Sequence, residues 1–294
     1  MGARSSQPTE VCVGGHVLEA VIGRGAFGTV FAARVRGGGR VALKLFPAAR
    51  SNAAAREIAV LRRIRLANTP STCHILESGC ANDRAYITFP LRACNAYELL
   101  QQRKFSGLSP AILVAVTRAV LAALAALHAI GLVHCDVKPE NVLLSADGAS
   151  AWLADFGLAQ DRPLGHVTYA QSRYYRAPEV VLGAGADCEA DVWSLGCTIS
   201  ELADGRVLFY ARNEGDLYAR HKALPLPAGL LARSTRSDAF LARLAVGRPA
   251  VPAGDSLVAQ FAQACLVPEP RDRPSIAYLA DHPYARRRAR STAI

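Results

Sequence analysis

The segment GRGAFGTV, Gly23 to Val30, restricts the fold of this chain more than any other, because of what flanks it. Apolar residues alternate from Val17 to Ile22 and again from Gly28 to Ala33, the period of a strand with one buried face. A third alternating run, Val41 to Phe46, follows the turn-forming Gly37-Gly38-Gly39. The glycine-rich segment therefore reads as the turn of a hairpin within a β meander. A G-x-G-x-x-G pattern alone is weak, since dinucleotide-binding turns share it, but those open a helix and this one does not. In such a hairpin backbone amides can approach phosphates closely, with no Cβ in the way.

The remaining pattern completes an α+β outline. Between Ala53 and Leu66, Ile58, Leu61 and Ile64 recur at helical spacing among arginines, and Ala85 to Leu91 reads as a further buried strand. After that the pattern is mainly helical: Pro110 to Ile130, Asp187 to Leu202 and Ser256 to Cys265. The 294 residues, 51% of them hydrophobic, can bury a sizeable core. A strand-rich first third and a helical remainder, without internal repeats or low-complexity linkers, predict two packed lobes.

Composition removes several classes. The eight cysteines occur singly, with no C-x-x-C and no Cys/His set at zinc spacing, and no apolar signal peptide opens the chain. They read as reduced thiols of an intracellular protein, with no disulfide and no structural zinc. The run from Ala111 to Val133 is apolar enough for a membrane span, but Arg118 and His128 interrupt it, so it reads as a buried helix. The net charge of +10 rests on arginine, because Lys44, Lys104, Lys138 and Lys222 are the only lysines. Scattered solvated arginines account for that bias without a nucleic-acid partner. The dense run RRRAR, Arg286 to Arg290, is a candidate nuclear-import or anionic-surface tail.

The polar motifs carry the chemistry. Sixteen residues after Gly28 comes VALK, which sets Lys44 on the adjacent strand where its ammonium can meet α and β phosphates; thirteen residues on, Glu57 can pair with it from a helix. In HCDVKPEN, His134 to Asn141, Asp136 can accept a hydroxyl proton, Lys138 can neutralise a moving phosphoryl group and Asn141 can bind a metal ion. DFG, Asp155 to Gly157, supplies the main metal-binding carboxylate, and APE follows at Ala177 to Glu179. Five motifs in this order at these separations are not a chance set.

Over about residues 15 to 285 the chain resembles the eukaryotic protein kinase superfamily. HCDVKPEN, FPLRACNAYELLQQRKFS and above all YAQSRYYRAPEVVLG resemble its CMGC group, and the nearest branch looks like the dual-specificity tyrosine-regulated and homeodomain-interacting kinases. The resemblance implies a bilobal fold: a leader at 1–14, a β-rich lobe at about 15–90, a hinge at about 90–93, a helical lobe at about 94–285 and a basic tail at 286–294. It implies ATP and Mg2+ as cofactors, with Gly23, Gly25, Gly28, Val30, Ala42, Lys44, Glu57, Phe89, Pro90, Arg92 and Leu143 around the nucleotide. Phe89 guards the back of the adenine pocket; Pro90 offers no N–H, but its carbonyl can accept from adenine, and the amide of Leu91 or Arg92 can donate. Asp136, Lys138 and Lys44 are the implied catalytic residues, Asn141 and Asp155 the metal ligands. Asp191 supports the catalytic loop and Arg273 partners Glu179. Lys138, two residues after Asp136, is the serine/threonine pattern.

One departure stands out: Cys135 replaces the arginine that, in many kinases, grips a phosphorylated activation-loop residue. A thiol cannot form that bidentate pair, so one regulatory coupling is lost while the chemistry survives. In the branch resembled, a tyrosine phosphorylates itself and an arginine four residues on holds the phosphate; Tyr169 and Arg173 stand there, the other reading being an unmodified aromatic against Arg173. The expected activity is a protein serine/threonine kinase acting as a monomer on protein substrates, with a preference for proline after the acceptor and no specific nucleic acid. A pseudokinase scaffold is the alternative, and a small-molecule phosphotransferase would lack the APE segment. Gly2 with Ser6 fits an N-myristoylation pattern, against the plainer reading of a polar leader. The expected location is cytoplasm or nucleus, with weak membrane association if Gly2 is acylated.

Overall fold

The structure, a computed structural model, describes residues 11–25, 27–165, 170–222, 226–236 and 256–287. The chain divides into two compact units: residues 1–66 with 73–91, and residues 67–72 with 92–294. Tyr169, Gly2 and Arg288 to Arg290 lie outside the described residues.

The first unit is an antiparallel sheet with one helix. Its strands are β1 (Cys12–Val13), β2 (His16–Gly25), β3 (Gly28–Val35), β4 (Arg40–Leu45), β5 (Glu77–Ala81) and β6 (Arg84–Pro90), in the order β1-β2-β3-β4-β6-β5. β2 and β3 form the expected hairpin across Gly25 and Gly28, with register shifts between Leu18 and Ala20 and between Val21 and Gly23 that add local twist. Gly28 is required there: a Cβ would come within 2.5 Å of the Leu45 carbonyl oxygen. Val13, Ala33, Val41, Leu43, Leu45 and Tyr86 form the core on one face of the sheet. Helix α1 (Ser51–Leu66) buries Ala54, Glu57, Leu61 and Ile64 and packs against β6. The sheet starts earlier than the expected boundary, because Cys12 and Val13 pair with Val17 and His16.

The second unit is mainly helical. A small sheet of β7 (Cys94–Asn95), β9 (Val142–Leu144) and β10 (Ala151–Leu153), in the order β10-β9-β7, and a pair of β8 (Leu132–Val133) with β11 (Gln160–Asp161) frame its loops. The helices are α2 (Ala96–Gln102), α3 (Pro110–Ala129), α4 (Pro178–Leu182), α5 (Glu189–Asp204), α6 (Glu214–Lys222), α7 (Ala228–Ala232), α8 (Leu257–Cys265), α9 (Ile276–Ala280) and α10 (Pro283–Arg286). Among the described residues α3 is the one helix long and apolar enough to cross a membrane. It buries Val116, Val120, Leu124 and Leu127 inside this unit and packs against β10 and α5. Nearly every residue of α5 is buried, and Trp193 is fully so. Gly205, left-handed at φ 74, ends that helix. The basic run does not begin as a free tail: Arg286 belongs to α10 and pairs with Asp281 at 2.7 Å.

Candidate active site

In the first unit the sheet register sorts side chains by face. Val30 pairs with Lys44, and Ala42 with Phe89, so Val30, Ala42, Lys44 and Phe89 share the face opposite the Leu43 and Leu45 core. The Lys44 ammonium meets both oxygens of Glu57 at 2.8 Å, and both residues are buried. Glu57 reaches it from the inner face of α1. Gly23, Gly25 and Gly28 line the turn at one end of this face. Pro90 pairs with Val41 at the end of β6.

The second unit opens at Arg92, whose guanidinium stacks 3.5 Å over the Trp152 ring. Leu143 stands in the middle strand of the small sheet between Asn95 and Trp152; its neighbours Val142 and Leu144 are fully buried, while Leu143 is half-buried on the other face.

The catalytic loop is fixed from beneath by Asp191. Its Oδ2 accepts from the His134 amide at 2.8 Å, its Oδ1 from the Cys135 amide at 2.9 Å, and His128 of α3 lies 3.0 Å from Oδ2. Burial works to raise the Asp191 carboxyl, but hydrogen bonding and charge from His128, with His134, hold it below the ordinary carboxylate range. Cys135 takes φ 64, a left-handed conformation uncommon for a residue with a Cβ, and its thiol is buried. Burial, with Asp191 and Asp136 nearby, pushes that thiol up. His134 accepts from the Asp136 amide through Nδ1 at 3.1 Å, so its Nε2 carries the proton donated to the Ala154 carbonyl, also at 3.1 Å.

Above this base, three side chains converge on Asp136. Lys138 Nζ donates to Oδ2 at 2.7 Å, and Ser172 Oγ donates to Oδ1 at 2.6 Å while accepting from Lys138 at 2.9 Å. The carboxamide nitrogen of Asn141 donates to the Asp136 carbonyl at 2.8 Å and to Oδ2 at 3.0 Å, which turns its oxygen the other way. The Ala154 amide bonds the Asn141 carbonyl at 2.9 Å and so brings Asp155 beside it; Asp155 is left-handed at φ 60. Among the described residues no cluster of three His, Cys, Asp or Glu could hold a metal by itself. One carboxylate and one carboxamide oxygen nevertheless suit Mg2+, which binds through one or two carboxylates together with phosphates and water.

Around this centre the segment before APE is tied down. Glu179 and Arg273 form a fully buried bidentate pair at 2.8 and 3.1 Å. Arg173 is exposed and donates to the Arg212 carbonyl at 2.8 Å. Two residues that sequence reasoning passed over matter here. Ser172 closes the Asp136–Lys138 triangle from 36 residues away. Gln171, left-handed at φ 67, is held by Ala190, Ser194 and Ala177, and its carbonyl is taken by the Arg176 guanidinium at 3.0 and 3.3 Å. Arg176 also pairs with Glu214 at 2.9 Å. Both residues lie in the YAQSRYYRAPE segment, where a polar pair preceding buried APE residues is the available signal.

Residues 16–285 match the profile of the protein kinase domain. Dual specificity tyrosine-phosphorylation-regulated kinase 3 of Rattus norvegicus is 36% identical over 232 residues, covering 75% of this chain and 39% of that protein. A putative homolog of that kinase from Drosophila melanogaster is 37% identical over 229 residues (75% and 28%), and kinase 4 of the same name from Homo sapiens is 36% identical over 235 residues (76% and 45%). The chain thus spans less than half the length of these relatives. A crystallised kinase domain superposes with a TM-score of 0.82 at 22% identity, covering 96% of this chain and 98% of the other, a likeness of fold.

Proposed function

Since this chain belongs to the protein kinase family, with homologues among the dual-specificity tyrosine-phosphorylation-regulated kinases, we propose that it is an active enzyme transferring the γ-phosphoryl group of ATP to serine and threonine hydroxyls of proteins. The observation that carries the reading is the triangle of Asp136, Lys138 and Ser172, closed at 2.6 to 2.9 Å around the carboxylate that would meet the acceptor hydroxyl. Asp136 takes the hydroxyl proton as the acceptor oxygen bonds to phosphorus and the bridging oxygen leaves with ADP. Lys138 neutralises charge on the group in transit. Lys44, held by Glu57, is the cation for the α and β phosphates, and Asp155 with Asn141 would hold the magnesium. Mg2+ supplies charge neutralisation at the phosphate oxygens when bound.

A scaffold without transfer would be expected to lose Lys44, Asp136 or Asp155, and all three are present. Preference for proline after the acceptor is favoured by Gln171, because a carbonyl already taken by Arg176 cannot accept a substrate N–H, and proline has none to leave unpaired. On this reading the effect comes from the Arg176 guanidinium. Self-phosphorylation of Tyr169, with Arg173 as its clamp, is part of the same proposal. Incubation with labelled ATP and a generic basic protein tests the reading: wild type should transfer label, and Asp155→Ala should lose transfer by about 10²- to 10³-fold. Full activity in the variant overturns it.

A further inference from the structure

Two arginines close to the Gln171 carbonyl lack an acidic partner. Nearby, Arg176 and Arg236 share Glu214, each at 2.9 Å. Arg173 and Arg212 are exposed, and among the described residues neither guanidinium meets a carboxylate. Arg173 uses Nη1 on the Arg212 carbonyl at 2.8 Å. The Arg212 guanidinium itself makes no hydrogen bond or ion pair there. Its backbone, by contrast, is held on both sides: the amide donates to Asp216 Oδ2 at 3.2 Å, and the carbonyl accepts from Arg173. The residue is thus fixed just before α6 with its charge left in water.

Two tyrosines frame this cation. Tyr174, next to Arg173, packs on the core of the unit and lies 5.3 Å from Tyr210 between ring centroids, and Tyr210 is 54% exposed. Aromatic surface beside a guanidinium suits an acidic side chain, whose methylene stem packs on the rings while its carboxylate takes the N–H groups. The place along a substrate follows from the preceding segment. Ser172 bonds Asp136, where the acceptor hydroxyl would lie, and the Gln171 carbonyl marks the residue after it. An extended substrate advances about 3.3 Å per residue with alternate side chains on opposite faces, so of the two residues past that one, one turns toward Arg212. A solvated surface arginine accounts for the exposure, but not for a backbone bonded to the segment that would meet the substrate.

We infer that Arg212 is a specificity-determining residue that selects a glutamate or aspartate of the protein substrate two or three residues after the acceptor. The inference rests on the kinase reading and names part of its substrate class. The test uses the whole chain, labelled ATP and peptides in which Ser-Pro is followed by Glu, Ala or Lys at each of those two positions. At one of them Glu should raise kcat/KM at least about threefold over Ala, and further over Lys, through a lower KM with kcat unchanged. Salt at about 0.5 M should erase that advantage. Arg212→Glu should reverse the order and favour Lys over Glu by about threefold, while its kcat/KM for the Ala peptide stays within about twofold of wild type. Its ratio of rates for proline against alanine after the acceptor should match that of wild type. Equal rates with Glu, Ala and Lys, a Glu advantage confined to kcat, or one that survives Arg212→Glu overturns the inference and leaves the kinase reading in place. So does a variant that loses the Ala peptide and the proline ratio together, because Arg212 would then serve the shape of the segment. No transfer to any peptide or to the generic basic protein overturns both.

Discussion

Among the described residues each unit buries one glutamate–cation pair, and the two are built differently. In the second unit Arg273 grips Glu179 and also donates to the carbonyls of Glu189, Val267 and Pro268 at 2.6, 2.9 and 3.3 Å. Its guanidinium thus ties together three stretches of chain, at Glu179, Glu189 and Val267–Pro268, and neither side chain of the pair reaches solvent. In the first unit Lys44 meets Glu57 as strand against helix, and the helix carrying Glu57 has an outer face in water. A pair bound into several backbone segments serves the fold. A pair that depends on the seating of one helix can be adjusted, and in the proposed function its cation is the one that serves the phosphates.

The strongest way to break this contrast is to remove one cation from each pair. Arg273→Ala leaves a buried carboxylate and three carbonyls without donors, so it should lose about 3–5 kcal/mol and melt on the order of 10 °C lower. Lys44→Ala should lower phosphate transfer by about 10²- to 10³-fold while losing clearly less stability, because α1 can turn Glu57 toward water. Melting curves and transfer rates on both variants decide the matter. If Lys44→Ala melts as low as Arg273→Ala, the contrast is wrong.

Acid sharpens it next. His221 is fully buried among Trp193 and Phe209, and burial, aided by Arg273 and Arg176, pushes its pKa down to about 3. The unfolded chain takes that proton near 6.5 and the folded one does not, so stability should fall as pH drops from about 6.5 toward 3. Glu201, bonded by the Tyr175 hydroxyl at 2.7 Å, runs the other way: burial raises it to about 7, and its contribution, complete below about 4.5, is lost as pH rises through 7. His221→Phe should flatten the acid side of the melting profile and Glu201→Gln the neutral side. Parallel profiles in all three proteins would refute both assignments.

The smallest effect belongs to Cys135. With its amide on Asp191 and its thiol buried, Cys135→Ala should leave transfer within about twofold and lose about 1 kcal/mol of stability. A large fall in transfer, measured beside an unchanged melting point, would mean the thiol does more than fill space.

What could be read from the sequence was what is local. Lys44, Asp136, Asn141 and Asp155 announce themselves because each belongs to a motif of a few residues, and the meander and the long apolar helix follow from period alone. Ser172, Gln171 and Arg176 act through neighbours that only folding supplies, as does His128 toward Asp191, 63 residues away. β5, with the sequence ESGCA, has no alternation to detect. α2 did carry a legible sign, the capping box of Asn95 and Glu98, closed at 2.8 and 2.9 Å.

The hold of Asp191 on the catalytic loop also sets a clock. The His134 and Cys135 amides belong to a segment with no helix or strand of its own, yet their acceptor is a fully buried carboxylate on a helix of which nearly every residue is buried. Such hydrogens leave for solvent only when α5 itself comes loose. In deuterated buffer these two should therefore exchange with the core, while the amides of the exposed Gly37–Gly39 turn exchange far sooner, and a stretch drawn as a loop keeps the tempo of a helix.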